Sequence, residues 1–96
     1  RLGLAEGVET AMSAGILHEM PVWSVISAFN FKNFVPPEEV KELFIFADND
    51  SNFVGQKEAF TAASVLAQKY KSLKISVVIP PEVNSDWNDV LLSSKR

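Results

Sequence analysis

Apolar residues are spaced along this chain in a way that alternates between short runs and helical periodicity. Leu2–Ala5, Val22–Ile26, Leu43–Ala47 and Lys74–Ile79 are compact runs, rich in β-branched and aromatic side chains and bounded by acids, glycine or proline. Such runs predict strands, the third of them buried on both faces. Between the first two, Val8, Ala11, Met12, Gly15 and Ile16 recur at spacings of three and four, which predicts a helix with these residues on one face. Glu9 sits in its first turn and His18 at its end, both favoured by the helix dipole, and Pro21 prevents continuation. A longer helix is expected from about Gln56 to Tyr70, with Ala59, Ala63, Leu66 and Tyr70 as a narrow apolar stripe. Pro36–Lys41 reads as a one-turn helix with proline at its start, and Val90–Leu92 as a short apolar tail. Strands alternating with helices predict an α/β fold, a mainly parallel four-stranded sheet flanked by helices.

Three of the four strands run into acids. Glu6-Gly7 follows the first, Asp48-Asn49-Asp50 the third, and Asp86 and Asp89 come after the fourth. In a parallel sheet these ends share one edge, where ligands of open α/β sheets gather. Alternation along an extended chain points Asp48 and Asp50 the same way, with Asn49 opposed. Two carboxylates about 4 Å apart repel by about 4 kcal/mol at an effective dielectric near 20. A hard divalent cation such as Mg²⁺ is the natural partner for such a pair. The structural alternative is that Asp48 or Asp50 only caps the helix that follows.

Composition narrows the rest. With 96 residues and 47% hydrophobic content, the chain is expected to form one small folded domain. No segment has the length of a membrane span, so no membrane partner is expected. The absence of cysteine excludes disulfides and thiolate metal sites and fits a cytoplasmic protein, while the single histidine excludes a multi-histidine zinc centre within the chain. A net charge of −3 lacks the basic footprint of a stand-alone nucleic-acid binder. The first residue is Arg1 rather than methionine, and a strand begins at once, which suggests a domain of something longer. Ser27–Phe34 places Phe29, Phe31 and Phe34 among amides and Lys32. Phe29 and Phe31 could stack on bases while Lys32 meets phosphate, although packing under a loop is the favoured role for such aromatics. Lys69, Lys71 and Lys74 read as a solvated face at a helix end.

The order of these motifs resembles the Toprim domain over nearly the whole chain. That domain is shared by bacterial-type primases, type IA and type II topoisomerases, and some nucleases and recombination proteins. The longer pattern Ala5-Glu6-Gly7-Val8-Glu9-Thr10-Ala11, with Phe46-Ala47-Asp48-Asn49-Asp50 and Asp86-Trp87-Asn88-Asp89, looks most like primases and primase-helicases of phages, plasmids and integrated mobile elements. The resemblance implies a Toprim-like (Rossmann-like) fold over residues 1–96, as one domain of a larger primase-type protein. It implies Glu6 as general acid or base and Asp48, Asp50 and Asp86 as ligands of Mg²⁺, with Mn²⁺ as a substitute. Glu9 and Asp89 are supporting residues in that scheme. Two departures stand out: Gly55 follows the Asp-x-Asp motif by five residues, a longer loop than usual, and Ala28-Phe29 occupies a turn where glycine is common.

The implied activity is nucleotidyl transfer for RNA primer synthesis in DNA replication. Its partners would be nucleoside triphosphates, a single-stranded DNA template and the parent protein's other domains. An isolated fragment would then have little activity alone. A Toprim nuclease would use the same acids with water as nucleophile. A topoisomerase would need a nucleophilic tyrosine, and the only one, Tyr70, lies on the expected packing face of a helix. A non-catalytic Toprim-like binding module is the alternative from outside enzymology, and the presence of Glu6 speaks against it.

Overall fold

In a computed structural model, which describes residues 1–94 without the side chains of 28 and 29, the chain forms four parallel strands and three α-helices. The strands are β1 (Leu2–Ala5), β2 (Val22–Ser24), β3 (Glu42–Phe46) and β4 (Lys74–Val78). The helices are α1 (Val8–His18), α2 (Val54–Lys69) and α3 (Trp87–Ser94). The sheet order is β2-β1-β3-β4 with every pairing parallel, so the expected α/β sheet is the observed one. From the β1/β3 pair the chain winds outward in both directions, to β2 on one side and β4 on the other. The order therefore reverses between β1 and β3, where a crevice opens beyond the strand ends. Ala5 is level with Phe46, which puts Glu6 and Asp48 at the mouth of that crevice.

Side-chain alternation divides the core into two layers. Leu2, Leu4, Leu43, Ile45 and Ala47 face α2 and meet Ala59, Ala62, Leu66 and Phe31. Ala5 and Phe46 face the other way, toward Ala11 and Ala14 of α1 and Trp87 of α3. Gly3 is required here by a close approach: a Cβ would lie 2.7 Å from the Phe46 ring and 2.8 Å from Val22. No helix among the described residues is long and apolar enough to cross a membrane.

The structure departs from the sequence reading in several places. Helix α1 buries Ala11, Ser13 and Ala14, whereas Val8, Met12 and Ile16 are exposed. Small residues let this helix lie against the sheet, so its large apolar side chains turn outward; Gly15 already approaches the Met20 carbonyl closely. Residues 28–33 are a 3₁₀ helix rather than an open loop. Pro36–Lys41 contains only a turn, closed by the Val40 N–H donating to Pro37 O at 3.0 Å. Finally, the apolar tail is the middle of α3, a full two-turn helix.

His18 also has a different role from a charged helix end. Its ring packs 4.8 Å from Phe46 and 5.0 Å from Trp87, centroid to centroid. Burial, helped by the Arg1 charge, lowers its pKa and favours the neutral ring.

Candidate functional site

Each acid reaches the crevice by a local rule. Strand β1 ends at Ala5, and Glu6 is held by its own backbone: the Ser24 hydroxyl donates to Glu6 O at 2.9 Å while accepting from the Ile26 N–H at 3.2 Å. Its side chain stays exposed. Strand β3 ends at Phe46, and Asp48 and Asp50 follow in the segment that leads from it to α2. Glu6, Asp48 and Asp50 together line a narrow cleft floored by Phe31, Phe46 and Ala47, with Thr10 and Gly55 at its edge. The cleft has room for about one water-sized sphere. A wider open depression of about 350 Å³ adjoins it and shares Glu6, Asp50 and Gly55.

Gly55 explains the longer loop after the Asp-x-Asp motif. A Cβ at this position would stand 2.8 Å from Asp50 Oδ2, so the glycine lets the first turn of α2 close against that carboxylate. Neither Asp48 nor Asp50 caps α2. The residue at its N-cap position is Phe53, in a left-handed conformation and without a side-chain cap.

Asp86 and Asp89 line neither the cleft nor the depression beside it, although their charges reach Asp48, and both act as caps. The Asp89 N–H donates to Asp86 Oδ1 at 2.8 Å, and the Asp86 N–H donates to Asp89 Oδ2 at 3.0 Å. This reciprocal pair starts α3 as a capping box, with aspartate in both positions. Their spacing of three residues was a signal for a helix start available in the sequence.

Electrostatics single out Asp48. Burial first, then the charges of Asp86, Asp50, Glu6 and Asp89, raise its pKa from 3.8 to about 6. Its Oδ1 is buried and accepts no hydrogen bond. A carboxylate in that setting calls for a proton or a cation. Among the described residues no three acids or histidines form a ready-made metal cage. Mg²⁺ does not demand one, since it is held by one or two carboxylates with water and phosphate completing its shell. The oxygen-only donors and the orphaned Asp48 Oδ1 therefore fit a hard divalent cation.

The other sequence-selected residues separate. Glu9 is exposed in the first turn of α1 and lines neither the cleft nor the depression; Thr10 is the residue of that turn that reaches the cleft. Phe31 is 1% exposed and belongs to the core against α2, so it is not available to stack on a base. Its burial follows from the 3₁₀ helix, which turns it inward while Lys32 stays exposed. Phe34 packs edge-to-face with Trp23 at 6.0 Å. The side chain of Phe29 lies outside the described residues. Tyr70 sits half-buried at the end of α2, among the side chains packed on the core.

The sequence reading missed the residue between the two aspartates. Asn49 donates from Nδ2 to Pro80 O at 2.8 Å and accepts on Oδ1 from Gln56 Nε2 at 3.2 Å. Its backbone N–H donates to Ser85 O at 2.9 Å, and its carbonyl accepts from the Asn84 N–H at 2.5 Å. Gln56 is 8% exposed and also donates to Asp50 O at 3.0 Å.

Comparison with curated proteins and with solved structures returns no match. The sequence model of the Toprim domain, in contrast, matches residues 1–96, the entire chain. With an all-parallel four-stranded sheet and acids gathered at its switch point, the chain belongs to the Toprim domain family, a family of metal-dependent enzyme domains acting on nucleic acids.

Proposed function

We propose that this Toprim domain is the catalytic domain of a DNA primase of the primase-helicase type, carrying out Mg²⁺-dependent nucleotidyl transfer for RNA primer synthesis. The observation that carries the phosphoryl-transfer part is Asp48: a half-buried carboxylate with an orphaned oxygen, sharing its cleft with Glu6 and Asp50 and within reach of the charges of Asp86 and Asp89. The choice of primase rests on the similarity of the Glu6, Asp48–Asp50 and Asp86–Asp89 motifs to that branch.

Asp48 and Asp50 would hold Mg²⁺, with Asp86 completing or supporting the set. When bound, the ion would neutralise charge on the nucleotide phosphates. Glu6, exposed and lining the same cleft, would take the proton from the attacking 3′-hydroxyl. The 350 Å³ depression beside it gives the nucleotide somewhere to lie. Phe31, buried beneath the cleft, excludes water from its floor. Lys32 is exposed next to this region and is the one basic residue of the 3₁₀ helix. Most of the template-gripping charge would come from other domains of the parent protein, in keeping with a net charge of −3.

The test is Glu6→Gln in the parent protein, assayed for priming on single-stranded DNA with nucleoside triphosphates. Priming lost with nucleotide binding retained supports the reading. Unchanged priming refutes a role for Glu6. Metal-dependent cleavage of the DNA without primer synthesis would assign the domain to the nuclease branch.

A further inference from the structure

Asp48 and Asp86 come from different elements, 38 positions apart, and each is bracketed by the same two ties. On one side, the Trp87 indole N–H donates to Ala47 O at 3.1 Å in the buried layer beneath the sheet end. On the other, Asn49 and Ser85 form an isolated antiparallel bridge, with the Asn49 N–H on Ser85 O. The residues before and after Asp48 are thus bonded to the residues after and before Asp86. The two aspartates lie between the ties, close enough that the Asp86 charge acts on Asp48.

The Asn49 side chain makes this bridge more than a backbone contact. Its Nδ2 is anchored on Pro80 O, at the end of β4, and its Oδ1 on Gln56 of α2. The loop from β4 to α3 is thereby fastened to β3 and α2. We propose that Asn49 and Trp87 are positioning residues, two ends of a clamp that sets Asp86 against Asp48 for shared binding of a divalent cation. This rests on the metal role proposed above for the acids. Neither Asn49 nor Trp87 touches the ion or the substrate; each acts through the aspartate beside it.

The clamp predicts a spectroscopic signature. Trace Mn²⁺ added to the isotopically labelled chain should broaden the amides of Asp48, Asp50 and Asp86 together. In Asn49→Ala and in Trp87→Phe, which keeps an aromatic ring and loses only the indole donor, broadening should persist at Asp48 and Asp50 but fade at Asp86. Mn²⁺ affinity should fall about tenfold, the usual size of an effect on residues that orient metal ligands. Ile75→Ala serves as the control, because Ile75 lies near the start of β4, level with Leu43 and packed on the other core layer, at the end of the sheet opposite the clamp. It should lower stability while all three amides keep their broadening.

Broadening at Asp86 that survives in both clamp variants, with affinity within twofold of wild type, would overturn the proposal. Residual dipolar couplings of residues 84–89, measured without metal, test the clamp separately. They should change in Asn49→Ala, and unchanged couplings would also overturn it. A wild-type chain without any Mn²⁺ response would instead defeat the metal reading, whatever the couplings show.

Discussion

Asp48→Asn should make the metal-free domain more stable at neutral pH. The folded state raises the Asp48 pKa from 3.8 to about 6, so it binds this proton more tightly than the unfolded chain does. The sign follows directly. Below about pH 4 the group is protonated in both states and costs nothing. As pH rises from about 4 to 6 the unfolded chain releases the proton first, and the fold loses stability. Above about 6 the penalty is complete.

At about 1.36 kcal/mol per pH unit, the full shift corresponds to about 3 kcal/mol. Asp48 is only half-buried, and solvent screening reduces this by about half, to about 1.5 kcal/mol. Asparagine keeps the shape, removes the charge and removes the titration. For a domain of this size the gain at pH 7 corresponds to roughly 6–12 °C in Tm. Urea or thermal unfolding in EDTA, at pH 4 and pH 7, measures it. The variant should match wild type at pH 4 and exceed it at pH 7. Millimolar Mg²⁺ at pH 7 should then raise the wild type and leave the variant where it was. A variant no more stable than wild type at pH 7, or equally shifted at both pH values, would refute the account of Asp48 as a destabilising, cation-seeking carboxylate.

Three further outcomes follow from local geometry. Gly3→Ala drives a methyl into the Phe46 ring and Val22, so it should cost about 1–3 kcal/mol in urea unfolding. Gly55→Ala meets only the movable end of Asp50; stability should change by less than about 0.5 kcal/mol, while Mn²⁺ affinity falls about tenfold by titration. Ile26 is β-branched, 73% exposed and held at φ 75°, so Ile26→Gly should relieve strain and raise stability by roughly 0.5–1 kcal/mol, measured as a shift in the urea midpoint.

The strands were legible because each is a short apolar run with an abrupt polar end. Leu2–Ala5 matches its strand residue for residue, and the other three strands differ from theirs by one or two residues at an end. Helix α1 was legible as a helix and not as a packed surface. Periodicity finds the large apolar residues, here Val8, Met12 and Ile16, yet close approach to a sheet selects small ones. Phe31 was visible as an aromatic in a polar setting, but only the 3₁₀ geometry decides that it points inward. Pro36–Glu39 carries the composition of a helix start without the following residues to continue it. The function of Asn49 left no trace at all: its four partners lie in segments that only the tertiary fold brings together.

The cap at α3 refines which acids can serve the site. Asp86 Oδ1 accepts from the Asp89 N–H and so is committed to starting the helix. Its second oxygen takes no part in the cap, so under the proposed metal role it would offer a single donor atom rather than a bidentate grip. Asp89 turns Oδ2 back onto the Asp86 N–H, and its charge is the last of the four that raise Asp48. The Asp89 N–H thus holds the Asp86 carboxylate while the Asp89 carboxylate holds the Asp86 backbone, and under the proposed metal role Asp48 with Asp50 would provide the main hold on a cation. The same economy explains why a two-turn helix at the end of the chain matters to the site: removing the cap would loosen Asp86 even with the clamp intact, because the clamp fixes the backbone of residues 85–87 and the cap fixes the carboxylate itself.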